Sequence, residues 1–247
     1  MSRILAIASG KGGVGKTWLA ISLAQALARR SRRVLLFDGD FGLANADVQL
    51  GLGSALDLAS VLGGRCALGQ AVRRVEACGF DLLPGQSGSG ELAHLDSAHL
   101  ERLLAGLARL ARGYDLTVLD LSAGIDFAVR RLLRAADRGL VVMTDEPTAL
   151  TDAYALIKTA QRDGFAAALE VVINLAPSHE AGRATYQGLL KVCERFLKLR
   201  PALAGVLRRD SRVPDAIRHQ TAFLVRHPTS PAARDIEVLA RTLTERR

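Results

Sequence analysis

Eight residues near the start of the chain constrain it most. Gly10 to Thr17 read G-K-G-G-V-G-K-T, which satisfies the phosphate-loop pattern G-x-x-x-x-G-K-[ST]. An apolar run, "RILAIAS", precedes the loop at 3–9. "KTWLAISLAQALARR" follows it at 16–30, with Leu19, Ile21, Leu23, Ala26 and Leu27 largely on one side. Strand, glycine turn and helix are the context that this pattern requires. The chemistry follows from the backbone. Gly10, Gly12, Gly13 and Gly15 let the main chain wrap closely round phosphate oxygens. The N–H groups of Lys11, Val14 and the helix start through Trp18 supply a positive field. Lys16 is placed to reach the β- and γ-phosphates and Thr17 to set its hydroxyl on Mg²⁺. A nucleotide with Mg²⁺ is the expected ligand.

The rest of the chain supplies a sheet to carry such a loop. Short apolar runs at 33–38, 80–84, 115–121, 138–144 and 169–174 read as further strands, and their unbroken apolar character suits a parallel sheet covered on both faces. Helical patterns fall between them, at 97–113, about 126–136, 147–161 and 180–199, and a last one at 231–245. The alternation predicts an α/β fold, a doubly wound, mostly parallel sheet flanked by helices. With no linker or repeat, the whole of 1–247 reads as one domain, and "LPGQSGSGEL" at 83–92 as a loop. Ligands of such sheets bind at the strand ends.

Composition narrows the function. Aromatics are 4%, so Leu, Val, Ala and Ile must build the core. Cys66, Cys78 and Cys193 form no CxxC pair, which points to a reducing compartment without structural zinc or an iron–sulfur site. The lone histidines, such as His94, His179 and His219, show no metal-ligand spacing. No apolar run is long enough to span a membrane. The net charge is +8, but the arginine clusters are dispersed and lack interleaved aromatics, so nucleic-acid binding is permitted rather than favoured.

Magnesium needs carboxylates, or water held by them. "LLFDGDFGLAN" offers Asp38 and Asp40 at one strand end, and "LTVLDLSAG" offers Asp120 at another. Asp120 is expected as the outer-shell Mg²⁺ acid and Asp38 as a switch acid at the metal. Asp40 is expected to position the attacking water.

At this point the residues resemble a known family. "KGGVGKT" is similar to the deviant Walker loop of the MinD/ParA P-loop ATPases. "DGDFGLANADVQLGL", "LPGQSGSGEL", "EPTALTDAYALIK" (146–158), "RFL" (195–197), "RVPDAIRHQ" (212–220) and "PTSPAARDI" (228–236) resemble its flagellar branch, the FlhG/FleN or YlxH-like regulators. The resemblance implies that Lys11 crosses a dimer interface to the partner's nucleotide, as an arginine finger does. It implies a homodimer with ATP that ADP releases, Asp152 near that interface, and Asn174 reading adenine through its amide. It also implies a cytoplasmic protein governing flagellar number or placement, recruited to a pole or membrane through a partner. The implied partners are the GTPase FlhF, a σ54-dependent flagellar regulator or a basal-body component.

The chain departs from that pattern in places. Trp18 stands where members carry a small residue, Asp145 where proline is common, and Arg208 where a proline often lies near the adenine. "NLAPS" lacks the Arg that often follows the base-reading Asn. The first strand begins at once, so no segment ahead of it is expected of the kind by which some members stimulate FlhF. Ile236, Leu239, Ala240 and Leu243 form an apolar stripe that reads as a packed helix, so autonomous membrane binding is not expected. Two alternatives stay open: a catalytically weak nucleotide-binding scaffold or antiactivator, and a ParA-like partition or placement ATPase acting on DNA.

Overall fold

The computed structural model describes residues 3–30, 32–53, 56–85, 96–165 and 169–245. "RILAIAS" forms β1 (Arg3–Ser9), and its position decides the rest. It lies between β5 (Leu116–Ala123) and β6 (Arg138–Met143), both parallel to it. Outward from β5 come β2 (Val34–Gly39), β4 (Phe80–Leu83) and β3 (Arg73–Val75); outward from β6 come β7 (Leu169–Ala176) and β8 (Ala202–Arg208). The order is β3-β4-β2-β5-β1-β6-β7-β8, and among the described residues only the β3–β4 pair is antiparallel. This is the expected doubly wound sheet.

The sheet separates two apolar clusters, because successive strand residues face opposite sides. Ile7, Leu36, Val118, Val142 and Val172 face α1 (Lys16–Ala28) and α10 (Pro231–Glu245). Ala8, Phe37, Leu119, Val141 and Ile173 face α4 (Ser97–Ala111), α5 (Phe127–Arg134), α6 (Pro147–Arg162) and α7 (His179–Leu197). Leu19, Leu23 and Leu27 of α1 are fully buried, each contributing about 1.5–3 kcal/mol relative to exposure. The expectation of a one-sided α1 needs correction. Ser22 and Gln25 are buried as well, because the helix is wedged between sheet and α10.

The described residues also include four short α-helices, α2 (Ala46–Gln49), α3 (Leu58–Leu62), α8 (Arg212–Arg218) and α9 (Phe223–Arg226), and a 3-10 helix at Leu68–Ala71. Most of the 83–92 segment, and His94, lie outside the described residues. The three cysteines are free thiols, with Cys78 and Cys193 buried. Several of the arginines are ion-paired: Arg130 with Asp163, Arg131 with Glu101, Arg138 with Glu170. No helix among the described residues is long and apolar enough to cross a membrane.

Candidate functional site

The loop Gly10–Thr17 lies where β1 hands over to α1, at the end of the sheet to which its central strands point. Gly15 adopts φ 87° and Gly13 φ 78°, a region that side chains resist. At Gly10 the constraint is a neighbour instead: a Cβ there would lie 2.1 Å from the Asp152 carbonyl oxygen, so α6 packs its backbone on the loop. Gly12 and Gly13 face open space.

The helix starts differ in one respect. Asp96, Asp126 and Ser178 cap α4, α5 and α7 by accepting from the N–H groups of His99, Val129 and Ala181. Gly15 gives α1 no such cap. The first intrahelical bond runs from the Leu19 N–H to Gly15, so the N–H groups of Lys16, Thr17 and Trp18 have no partner within the helix. An uncapped, positively polarised helix end beside a glycine turn is an anion site.

The two strand-end acids meet there. Asp38 and Asp120 are opposite each other in the β2–β5 ladder. Leu36 and Val118, two residues earlier, face α1, so both carboxylates do too. Both are 1% exposed. Asp38 accepts from the N–H groups of Ala46 at 2.9 Å, Asn45 at 3.0 Å and Asp40 at 3.3 Å, pinning the start of α2. Burial nevertheless pushes its carboxyl above the usual carboxylate range. Neither oxygen of Asp120 has a partner that meets hydrogen-bond geometry among the described residues. Burial, and then the charge of Asp38, push its carboxyl up, and the neighbouring Thr17 and Lys16 pull it back only in part. Lys16, 8% exposed, is lowered by burial and raised by Asp120 and Asp40.

This arrangement fits Mg²⁺. Asp120 holds two orphaned oxygens beside the Thr17 hydroxyl, all hard donors. No group of three or more His, Cys, Asp or Glu able to hold a metal exists among the described residues.

Asp40 is half-buried. Its Oδ1 accepts from Leu43 N–H at 3.1 Å, Gly42 N–H at 3.2 Å and Ser122 Oγ at 3.1 Å. It thereby ties the loop after β2 to the end of β5. Ser122 is absent from the sequence-based set; its signal is the small-residue turn after Asp120.

The structure places five other residues singled out in the sequence less directly. Lys11 Nζ is held by Glu146 and, at 3.1 Å, by Thr148 Oγ1. Asp152 is not its partner here and meets the loop through its backbone. Glu146 and Thr148 were also missed, although both sit in "EPTALTD". Trp18 is 6% exposed and packs edge-on against Phe223, with centroids 5.3 Å apart, so its indole lies in the core. Asn174 is 1% exposed, and its Nδ2 donates to the Val14 carbonyl at 2.8 Å. Arg208 is engaged by Asp235 through both Nε and a terminal nitrogen, each at 2.9 Å, and His179 reaches the same carboxylate at 2.9 Å.

Comparison with known proteins adds a family. Residues 5–223 match the model of the CobQ/CobB/MinD/ParA nucleotide-binding domain. The chain is 39% identical to the antiactivator FleN of Pseudomonas aeruginosa, covering 96% of this chain and 85% of FleN. It is 30% identical to the flagellum site-determining protein YlxH of Helicobacter pylori, covering 99% and 83%. Its fold matches the cell division ATPase MinD of Pyrococcus furiosus with a TM-score of 0.84 and 25% identity, over 99% of both chains.

Proposed function

The chain belongs to the CobQ/CobB/MinD/ParA family of nucleotide-binding domains, and from that premise we propose that it is an ATP-binding and hydrolysing dimerisation switch acting on flagellar number, placement or gene expression. One observation carries the chemical half of this reading: two buried carboxylate oxygens on Asp120, with no partner that meets hydrogen-bond geometry among the described residues, face the uncapped end of α1, beside Lys16 and Thr17. A Mg-nucleotide supplies what is missing there, positive charge for the acids and phosphate oxygens for the N–H groups.

In this reading Gly10 to Trp18 wrap the phosphates with their N–H groups, and Lys16 neutralises the β- and γ-oxygens. Thr17, Asp38 and Asp120 would hold Mg²⁺, which would supply charge neutralisation at the γ-phosphate. Asp40 keeps Oδ2 clear of the bonds its other oxygen makes, and orients the water that attacks in line. Lys11 leaves Glu146 and Thr148 to reach the nucleotide of a second copy, with Asp152 at the same interface. The γ-phosphate then holds the dimer, and its loss releases it. The word antiactivator, which belongs to FleN, supports a regulator of transcription as partner; the name of YlxH equally supports the placement machinery, FlhF or a basal-body protein.

The test is solution mass for an Asp40→Ala variant, which slows hydrolysis. A dimer with Mg-ATP and a monomer with Mg-ADP is the expected result. A monomer in both, with nucleotide shown to be bound, overturns the switch.

A further inference from the structure

The indole of Trp18 lies on a route out of the phosphate loop. Trp18 belongs to the first turn of α1, and its backbone N–H is one of the donors there with no partner within the helix. That turn carries no side-chain cap, so it depends on tertiary contacts against fraying. Its anchor is Phe223, the first residue of α9 and 2% exposed. The indole, from the chain's one tryptophan, meets that ring at 71°.

The support behind Phe223 is itself tied down. Arg29, at the other end of α1, donates Nη2 to the Leu224 carbonyl at 3.0 Å. Asp215 of α8 accepts from Arg226 Nε of α9 at 2.6 Å, so the two short helices form one body. That body also meets the turn after α2, the helix whose start Asp38 pins: a Cβ on Gly51 would lie 3.0 Å from the Gln220 carbonyl oxygen. The junction with α1 is not fully closed. Trp18 Nε1 and Ser22 Oγ, one turn apart, are buried with no partner that meets hydrogen-bond geometry among the described residues. A cavity of about 10 Å³ lies between Trp18, Ser22, Gln49 and Ile217. Contacts are left to be gained there if α1 and α8–α9 draw together.

We propose that Trp18 is a positioning residue for the phosphate-binding end of α1, and that through Phe223 it makes α8–α9 the segment that feels phosphate occupancy. This rests on the nucleotide-binding reading above. A helix end held in place before the anion arrives need not be ordered by it. Without its brace the first turn is ordered by the phosphates instead, and affinity falls. Coupling is reciprocal, so whatever phosphate binding gains from the brace, the packing of α8–α9 gains from phosphate. The effect reaches the surface, because Ile217 and Val225 of that body are 36% and 42% exposed.

The test is calorimetric binding of Mg-ADP to the full chain and to Trp18→Phe, Trp18→Leu, Phe223→Leu and the double leucine variant. Each single leucine variant is expected to bind about 2- to 12-fold more weakly, the worth of one edge-to-face aromatic pair. The double variant is expected to bind no more weakly than either, because the two rings act as a unit. Trp18→Phe keeps an aromatic edge and is expected to stay within about 2-fold of the native chain. Losses that multiply in the double variant overturn the pairing. Unchanged affinity in folded leucine variants, with only Tm lowered, makes the pair structural and overturns the positioning role. Amide hydrogen exchange over residues 212–226 is expected to slow with Mg-ADP in the native chain and not in Trp18→Leu. Exchange that ignores Mg-ADP in the native chain, or slows equally in the variant, overturns the transmission. Should Trp18→Leu fail to fold, Phe223→Leu takes its place and Trp18→Phe supplies the control. If the native chain does not bind Mg-ADP, the nucleotide reading falls and this proposal with it.

Discussion

At the scale of single residues, the site stores unfavourable electrostatics that its own partners relieve only in part. Asp38 can draw on three backbone donors, but Asp120 has none and is as deeply buried. An acid with a raised native pKa favours the folded state when protonated. That stability is present below the unfolded pKa of about 4 and is lost as pH climbs to the raised native value. Asp120→Asn removes the loss. Its nucleotide-free form is expected to be about 1–2 kcal/mol more stable at pH 8, a rise in Tm of about 2–8 °C, with a flatter pH profile. Mg²⁺-dependent ATP turnover should fall at least about tenfold, because the acid behind the metal is gone. Thermal melts from pH 5 to 8 check this, and a variant less stable than the native chain at pH 8 would show that Asp120 is satisfied in the free protein.

At the scale of elements, what packing and propensity both favour was legible, and what tertiary context imposes was not. Six strands and the long helices follow from continuous apolar runs and helical periods. β8, "ALAGVLR", escaped because alanine and glycine weaken the strand signal and an edge strand needs less apolar surface. β3 is three residues, "RRV", held by pairing with β4 rather than by its own pattern. The contacts of α6 are likewise tertiary. Glu146 occupies its N-cap yet makes no side-chain cap, and spends its carboxylate on Lys11 instead. The loop lysine is therefore tethered in the single chain, by an exposed pair that contributes at most about 1 kcal/mol. Glu146→Gln is expected to free it and to lower the protein concentration for half-dimerisation with Mg-ATP by about 2- to 5-fold, as read by sedimentation. A higher concentration would mean that Glu146 serves the dimer rather than the resting chain.

At the scale of the whole molecule, the phosphate loop and the acids were readable because their spacing is set by local backbone geometry and by strand ends. Ser122, Thr148 and the Asn174–Val14 bond were not, because each joins segments distant in sequence. The same folding gathers a further feature at that edge of the sheet. Leu43 is 76% exposed, in the loop that Asp40 organises after β2, while Ile125 and Phe127 are 44% and 53% exposed where the chain leaves the neighbouring β5. Large apolar side chains left in water beside a charged site mark a surface awaiting cover. If ATP brings two copies together over the nucleotide, these residues are the apolar part of that contact, and the γ-phosphate works by fixing the loops that carry them. Phe127 stands at the first turn of α5 and is no part of the phosphate loop, so Phe127→Ser should leave ATP binding by the single chain within about 2-fold. Dimerisation should weaken by about tenfold or more, the effect of losing one buried aromatic anchor. Calorimetry and sedimentation with Mg-ATP separate the two. Equal loss of both would place Phe127 in the nucleotide pocket, and loss of neither would put the second copy on another face.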